Sequence, residues 1–375
     1  MKKTETENFK TSKNPAGAFA SQYVASRLDL QTGQEFPMDI WQKMGKAGLF
    51  KIGIDRMYGG DGGGYIDLLK AGESFVRNGY NLGLALSWLY QQIIAHYILR
   101  IFGTREQQSQ YLLAAAAGKI TLSFAVSEPG RGAHPKQLAT TARKQGSVYI
   151  LNGEKTYLTN GPIAGVFIVV AITDDTTPQK GFTAFIVPRT TEGVTVTQAM
   201  ALNFLKPSPH GGLKLENCRI GRKSVLGKEG KAWQDMVVPM GEIEDVVMMG
   251  PALGGAAALL SLLVSAIRER PSETDITLQG ELGALHAILQ TMRIIAYEAA
   301  GRLDRNNASP VPLMITFART ATEFHERITQ IAERRGITGS FEYTYLHRDL
   351  ESMLALKKGL MQIRQKKIGS ALLKT

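Results

Sequence analysis

Apolar residues recur at helical spacing in four stretches of the first third of the chain: Pro37 to Phe50, Ile66 to Val76, Leu82 to Phe102 and Glu106 to Ala117. Each predicts a helix. The run Tyr58-Gly59-Gly60-Asp61-Gly62-Gly63-Gly64 reads as a loop, and Phe102-Gly103-Thr104 ends one helix and caps the next. From about Thr121 the pattern shortens to β-branched and aromatic runs, Leu122 to Val126, Val148 to Leu151, Val166 to Ile172 and Phe182 to Val187. Turn signals at Asn152-Gly153, Asn160-Gly161-Pro162 and Glu192-Gly193 punctuate them, which predicts a compact antiparallel barrel or sandwich. After Gly230 helical periodicity returns in Glu242 to Ile267, Leu278 to Leu303, Pro312 to Glu333 and Leu350 to Leu372. The chain therefore divides into a helical part (1–120), a β part (121–232) and a second helical part (233–375), an α+β multidomain organisation behind a disordered tail of about a dozen residues.

Within the last part, Val246 to Ile267 is uncharged and long enough to span a bilayer. Its Gly and Ala content and Pro251 favour a helix buried on all sides within a bundle, so no membrane association is expected. The 375 residues carry 44 Lys and Arg against 33 Asp and Glu, a net charge of +11 that favours an anionic partner without naming one. A single cysteine, Cys218, excludes an intrachain disulfide and, with the polar start, suggests the cytoplasm. The six histidines show no metal-ligand spacing, so no metal site is expected; His134, in a loop, is the one nearest a motif. P-loop, Ser-His-Asp and dinucleotide-fold signatures are absent from the sequence.

Two segments carry a family resemblance: Phe124-Ala125-Val126-Ser127-Glu128-Pro129-Gly130, and Leu151 through Asn152-Gly153-Glu154-Lys155-Thr156-Tyr157-Leu158-Thr159-Asn160-Gly161. They resemble the flavin-contacting segments of the acyl-CoA dehydrogenase family. Met57-Tyr58-Gly59-Gly60, Phe102 to Gln107 and Gly181 to Pro188 resemble further landmarks of that family, as does the spacing of Arg268 to Gln279 and of Gln330 to Arg348-Asp349. The resemblance implies an N-terminal helical domain, a central β-barrel and a C-terminal four-helix bundle, assembled as a homodimer or homotetramer and binding FAD. It implies oxidation of an acyl thioester, with a base removing the α-proton while flavin accepts a hydride from the β-carbon. An electron-transfer partner or oxygen would then reoxidise the flavin.

Carried onto this sequence, the resemblance makes Phe124, Val126, Ser127, Tyr157 and Thr159 flavin contacts, with Ser127 for the usual Thr and Tyr157 for the usual Trp. Arg268, Gln279 and Gln330 match positions that reach FAD held by a neighbouring subunit. Pro271-Ser272 replaces the family's Phe-Gly, Glu333-Arg334 replaces its Gly-Gly, and Ala133 replaces a Ser. Arg334 is then a candidate to supply a guanidinium where backbone donors are lost.

The base departs from the commoner pattern. Where most members carry a Glu before a Gly near the end of the chain, this one reads Leu356-Lys357-Lys358-Gly359-Leu360. A branch that includes isovaleryl-type enzymes places its Glu on the first long C-terminal helix, and Gly241 to Pro251 resembles that pattern with Glu244 as base. Asp245 stands where that branch has an Arg. Read without the resemblance, Glu242, Glu244 and Asp245 offset a helix N-terminal dipole. Two adjacent acids would also raise each other's pKa.

The resemblance extends to members that oxidise acyl groups on an acyl carrier protein, including makers of hydroxymalonyl or aminomalonyl extender units for polyketide and nonribosomal peptide assembly, and it implies a carrier-bound acyl group as the favoured substrate, a partner whose acidity suits the basic chain. Ordinary acyl-CoA oxidation and a non-catalytic binding role are the alternatives. The basic residues Arg364, Lys366, Lys367 and Lys374 raise nucleic-acid binding, but no aromatic residues interleave with them and it is not expected.

Overall fold

The computed structural model describes residues 14–33, 35–176, 179–269, 276–337 and 339–374. The tail read as disordered and Pro271-Ser272 lie outside the described residues. Helices α1 (Pro15–Tyr23), α2 (Asp29–Thr32), α3 (Met38–Ala47), α4 (Tyr65–Gly79), α5 (Leu82–Ile93), α6 (Arg100–Phe102) and α7 (Arg105–Ala116) come first. The periodicity of Leu82 to Phe102 is not one regular helix, because Ile94–Leu99 forms a π-turn between α5 and α6. Thr104 and Gln107 form a reciprocal capping box that starts α7. α1 has no counterpart in the sequence reading; Asn14 accepts a hydrogen bond from Gly17 N to open it, and Pro15 sits in the first turn.

Eight strands follow: β1 (Leu122–Ala125), β2 (Thr141–Gln145), β3 (Val148–Thr159), β4 (Val166–Asp174), β5 (Gly181–Pro188), β6 (Val194–Val196), β7 (His210–Gly221) and β8 (Val225–Leu226). They form one mixed sheet in the order β6-β7-β3-β2-β4-β5-β8, with β1 on β4. The expected antiparallel pairing holds along most of it, but β1 and β2 both run parallel to β4. Asn152-Gly153 is not a hairpin turn. β3 runs through it to Thr159, absorbing the pair in a register shift against β7 between Leu151 and Gly153. Gly153 is required there: its φ is +148°, and a Cβ would stand 2.8 Å from Thr140 Cα. β4 is buried on both faces, which explains its unbroken apolar run. Val166, Ile168, Val170 and Ile172 join the main core with the helices, whereas Phe167, Val169 and Ala171 join a second core with Tyr149, Phe185 and Leu213.

The last part comprises α8 (Val238–Val247), α9 (Met249–Arg268), α10 (Ile276–Arg305), α11 (Val311–Arg334) and α12 (Phe341–Leu372). α8 and α9 follow a π-turn at Trp233–Val237 and make one near-continuous helix. Its apolar stretch passes a length-and-composition test for a membrane span, yet 83% of that window is buried inside the protein. Close packing on α4 accounts for its glycines. A Cβ on Gly250 would lie 2.1 Å from Leu69 O, and one on Gly254 would lie 2.2 Å from Glu73 O. The helix backbones touch there, which only glycine permits.

Candidate active site

A buried ion pair shapes the segment that follows β1. Lys155, on β3, has no solvent exposure; its Nζ donates to Val126 O at 2.9 Å and meets Glu128 Oε1 at 3.0 Å. Glu128 in turn accepts the N–H groups of Ala139 at 2.8 Å and Thr140 at 2.9 Å. Thr156 N closes the arrangement by donating to Ser127 O at 2.9 Å. Burial pushes the Lys155 ammonium down to about 8 against the opposing charge of Glu128. Burial would raise Glu128, but the Lys155 charge and the N–H donors outweigh it and hold the carboxyl below its ordinary value. The result is a fixed strand end that presents Ser127. Its hydroxyl has no protein partner among the described residues.

Two residues beyond Lys155 along β3, Tyr157 adopts a left-handed φ of 56° and is 63% exposed. A non-glycine residue held there is uncommon, and a wide-open aromatic face beside Ser127 and Thr159 is the surface a planar ring would cover. Phe124 and Val126 are buried in the main core behind it, at the end of β1. Thr159 Oγ1 lies 3.2 Å from His210 Nε2, and His210 Nδ1 lies 3.1 Å from Ser208 O. Since a carbonyl only accepts, Nδ1 carries the hydrogen, and the Thr159 hydroxyl donates to Nε2. Burial holds His210 below its ordinary pKa, so it is a neutral imidazole. Asn160 Nδ2 donates to Ser87 O at 2.9 Å and Ser87 Oγ to Ser208 Oγ at 3.0 Å, which ties this corner to α5. The buried Asn160 Oδ1 has no partner.

Glu244 extends from the last turn of α8, and its charge acts on both His210 and the buried Tyr90 phenol of α5, which burial and then Glu244 push up. α8 packs against α5, so Glu244 and Tyr90 lie on neighbouring helices. Glu242, Glu244 and Asp245 do not offset a helix N-terminus, because α8 begins at Val238 and runs on into α9. Nor do the two adjacent acids simply oppose each other. Lys357 Nζ of α12 lies 3.2 Å from Glu244 Oε1 and 2.6 Å from Asp245 Oδ1, and Arg364 Nη1 lies 2.6 Å from Asp245 Oδ2. Burial pulls the Lys357 ammonium down, but the two carboxylates outweigh it and the net shift is upward.

The remaining sequence candidates lie elsewhere on the chain. Arg268 ends α9, Gln279 sits in the first turn of α10, and Gln330 and Arg334 share the last turns of α11; all four are exposed. Along a helix, Arg268 is about 35 Å from Glu244. Gln330 and Arg334 line an open cleft of 390 Å³ with Glu281 and Glu326. The Arg334 guanidinium is not free, since it pairs with Glu281. His134 lies exposed in its loop, and the histidine near the motif residues is His210. Among the described residues no cluster of three or more His, Cys, Asp or Glu could hold a metal.

Lys155, Tyr90, His210 and Arg364 received no site role from the sequence. For the first, the sequence offered only its place in the motif segment, two residues before Tyr157. Nothing local marks the others, because α5, α8, β7 and α12 meet only in three dimensions.

Residues 6–119 match the family described as acyl-CoA dehydrogenase, N-terminal domain, and residues 123–218 match acyl-CoA dehydrogenase, middle domain. The chain belongs to the acyl-CoA dehydrogenase family. A 3-(aryl)acrylate reductase of Clostridium sporogenes is 29% identical over 98% of this chain and 99% of its own length. An acyl-CoA dehydrogenase of Bacillus subtilis is 30% identical over 76% of each chain. Among solved structures, a prolyl acyl carrier protein oxidase superposes with a TM-score of 0.82 at 24% identity, covering 99% of this chain and 100% of its own, and shares the fold. This member of the family is a flavin-dependent oxidoreductase of the acyl-CoA dehydrogenase type, and its cofactor is FAD. The site fits that group: the open Tyr157 ring, the unpartnered Ser127 hydroxyl and the orphaned Asn160 Oδ1 are the apolar face and hydrogen-bonding atoms a flavin ring would meet.

Proposed function

We propose that the enzyme oxidises an acyl thioester at its α-carbon with Glu244 as general base, and that its acyl group arrives on an acyl carrier protein. Ser127, Tyr157 and Thr159 are the residues that would hold the flavin ring. When bound, FAD supplies the acceptor for the β-hydride. Glu244 receives the α-proton, Tyr90 and the neighbouring apolar residues exclude water from it, and the Thr159–His210–Ser208 chain fixes the hydroxyl that faces the ring. What supports the reading is the place of Glu244 on α8, which packs against α5, together with the strand end that bears the flavin motif, where the Thr159 hydroxyl is fixed on His210 and Asn160 is tied to Ser87 of α5.

Charge supports the carrier protein. Residues 121–232 hold 14 Lys and Arg against 7 Asp and Glu, so the excess is concentrated in the sheet region. Arg131 and Lys180 border an open cleft of 650 Å³ on that region, beside the Glu128 loop. A basic rim steers an acidic partner chiefly through its association rate. The basic C-terminal residues do not make a comparable patch for nucleic acid, because Arg364 is drawn inward onto Asp245. The FAD-facing set Arg268, Gln279 and Gln330 lies too far from Glu244 to serve the same flavin ring within one chain, so a second copy completes each site.

Anaerobic stopped-flow reduction tests the reading. The flavin band should bleach with a short acyl group on a carrier protein at least tenfold faster, at equal concentration, than with the same acyl group on CoA, and Glu244→Gln should abolish bleaching by either. Faster reduction by the CoA thioester would assign the enzyme to free acyl-CoA instead.

A further inference from the structure

The four charges around Glu244 are not equivalent. Asp245 and Arg364 are enclosed, with side-chain exposures of 3% and 12%, whereas Glu244 and Lys357 are more open at 27% and 34%. Asp245 and Arg364 therefore form a fixed inner pair. Glu244 and Lys357 form a more exposed outer pair, and the Lys357 ammonium touches both acids. The contact to buried Asp245 is the shorter, at 2.6 Å against 3.2 Å. If Glu244 turns toward a substrate or becomes neutral by taking a proton, Lys357 keeps an anionic partner. The charge balance of the buried end then survives the proton transfer, and no ammonium is left stranded in a poorly solvated site.

Resting on the reading of Glu244 as base, we propose that Lys357 is its positioning residue, holding the carboxylate in one orientation in the resting enzyme and remaining behind on Asp245 when Glu244 takes up the α-proton. A charge-assisted hydrogen bond holds a carboxylate in one orientation. Replacing Lys357 with a neutral side chain removes that hold, so Glu244 is presented to the α-carbon less often and proton exchange slows. The charged and titratable groups facing Glu244 are Asp245 on its own helix, Lys357 with Arg364 beyond it on α12, Tyr90 on α5 and His210 on β7. Of these only Lys357 is altered in the test.

Acetyl thioesters have no β-hydrogen and cannot deliver a hydride, so exchange of their α-protons into deuterated water, followed by NMR, reports the base alone. Acetyl-CoA and an acetyl carrier protein are the probes, with the holoenzyme at a series of thioester concentrations. Lys357→Met should slow maximal exchange about fivefold and leave the KM for the thioester within twofold, a loss of positioning and not of binding. Lys357→Arg should restore the wild-type rate to within twofold. An unchanged rate in Lys357→Met, with Glu244→Gln inactive in exchange, overturns the role of Lys357 and leaves Glu244 as base. Exchange that persists in Glu244→Gln overturns the base itself. If Lys357→Met fails to fold by circular dichroism, Lys357→Gln takes its place, and equal rates for the Gln and Arg variants count against the proposal.

Discussion

At the scale of single residues, the most consequential side chain outside the reacting groups is Lys155, because it satisfies a backbone carbonyl and a carboxylate that are both out of water. Lys155→Met leaves buried Glu128 with only Arg131, an exposed guanidinium 3.6 Å away, as its counter-charge, and breaking a buried pair costs about 3–5 kcal/mol in comparable cases. It should lower the unfolding free energy by that order in a urea titration and weaken FAD retention on dialysis, because the Val126–Glu128 segment loses its anchor. The pH dependence has a definite sign. Glu128 is held below its ordinary value in the folded protein, so its contribution is complete above the unfolded carboxyl range and is lost as pH falls through the depressed folded value. The stability gap between the wild type and Glu128→Gln should therefore narrow as pH drops below about 4.5. The sequence exposed the motif around Lys155 but gave the lysine no role, since a charged residue in a strand ordinarily faces solvent and only the register of β3 shows this one turned inward. Glu244 was legible by resemblance; the cations that surround it were not, because they come from a helix more than a hundred residues away.

Helix and strand placement was legible wherever one face of an element alternates with solvent. It was lost where packing removes that contrast. The turn inferred at Asn152-Gly153 became the interior of β3 because a bulge, not a reversal, uses the glycine. β7 went unread because Gly211-Gly212 opens it and Glu216-Asn217 interrupts its pattern. The apolar stretch of α8–α9 was read correctly as a buried helix, and its glycines explain how close the burial is. Gly254→Ala places a methyl group 2.2 Å from Glu73 O, a backbone atom that cannot rotate away. The two helices must separate, at a cost of roughly 1–3 kcal/mol, and the melting temperature should fall by several degrees. Because α9 continues directly from the turn that carries Glu244, the same variant should slow flavin reduction more than its loss of stability explains. Gly283→Ala is the control: it lies on an exposed part of α10 with no atom within 4 Å of the new methyl, and should stabilise the protein by about 0.5–1 kcal/mol. If both variants melt alike, contact between α4 and α9 does not set the position of this helix.

For the whole molecule, the two groups of residues that the family resemblance assigns to FAD are separated on one chain. Ser127, Tyr157 and Thr159 surround the end of the sheet near Glu244, whereas Arg268, Gln279 and Gln330 lie at the opposite end of the long helix and on its neighbours, about 35 Å away along the axis. A symmetric dimer resolves the distance, since a two-fold axis can bring the far end of one subunit to the sheet of the other. The arrangement makes a quantitative statement about mixed subunits. A Thr159→Val/Ser127→Ala chain and an Arg268→Ala/Gln330→Ala chain should each retain little FAD alone. Mixed and refolded in equal amounts, they should form heterodimers in about half of all dimers, and each heterodimer has one of its two sites free of substitutions. Bound FAD, read from its visible absorption after gel filtration, should then recover to about a quarter of the wild-type content. Recovery near zero would mean that both groups serve the same chain, and full FAD retention by the Arg268→Ala/Gln330→Ala chain alone would mean that the distal group does not touch FAD. The pairing of Arg334 with Glu281 bears on the same question, because a diphosphate arriving from a partner must displace that acid. Glu281→Gln should consequently tighten FAD binding in the assembled dimer, and an unchanged dissociation constant would remove Arg334 from the cofactor site.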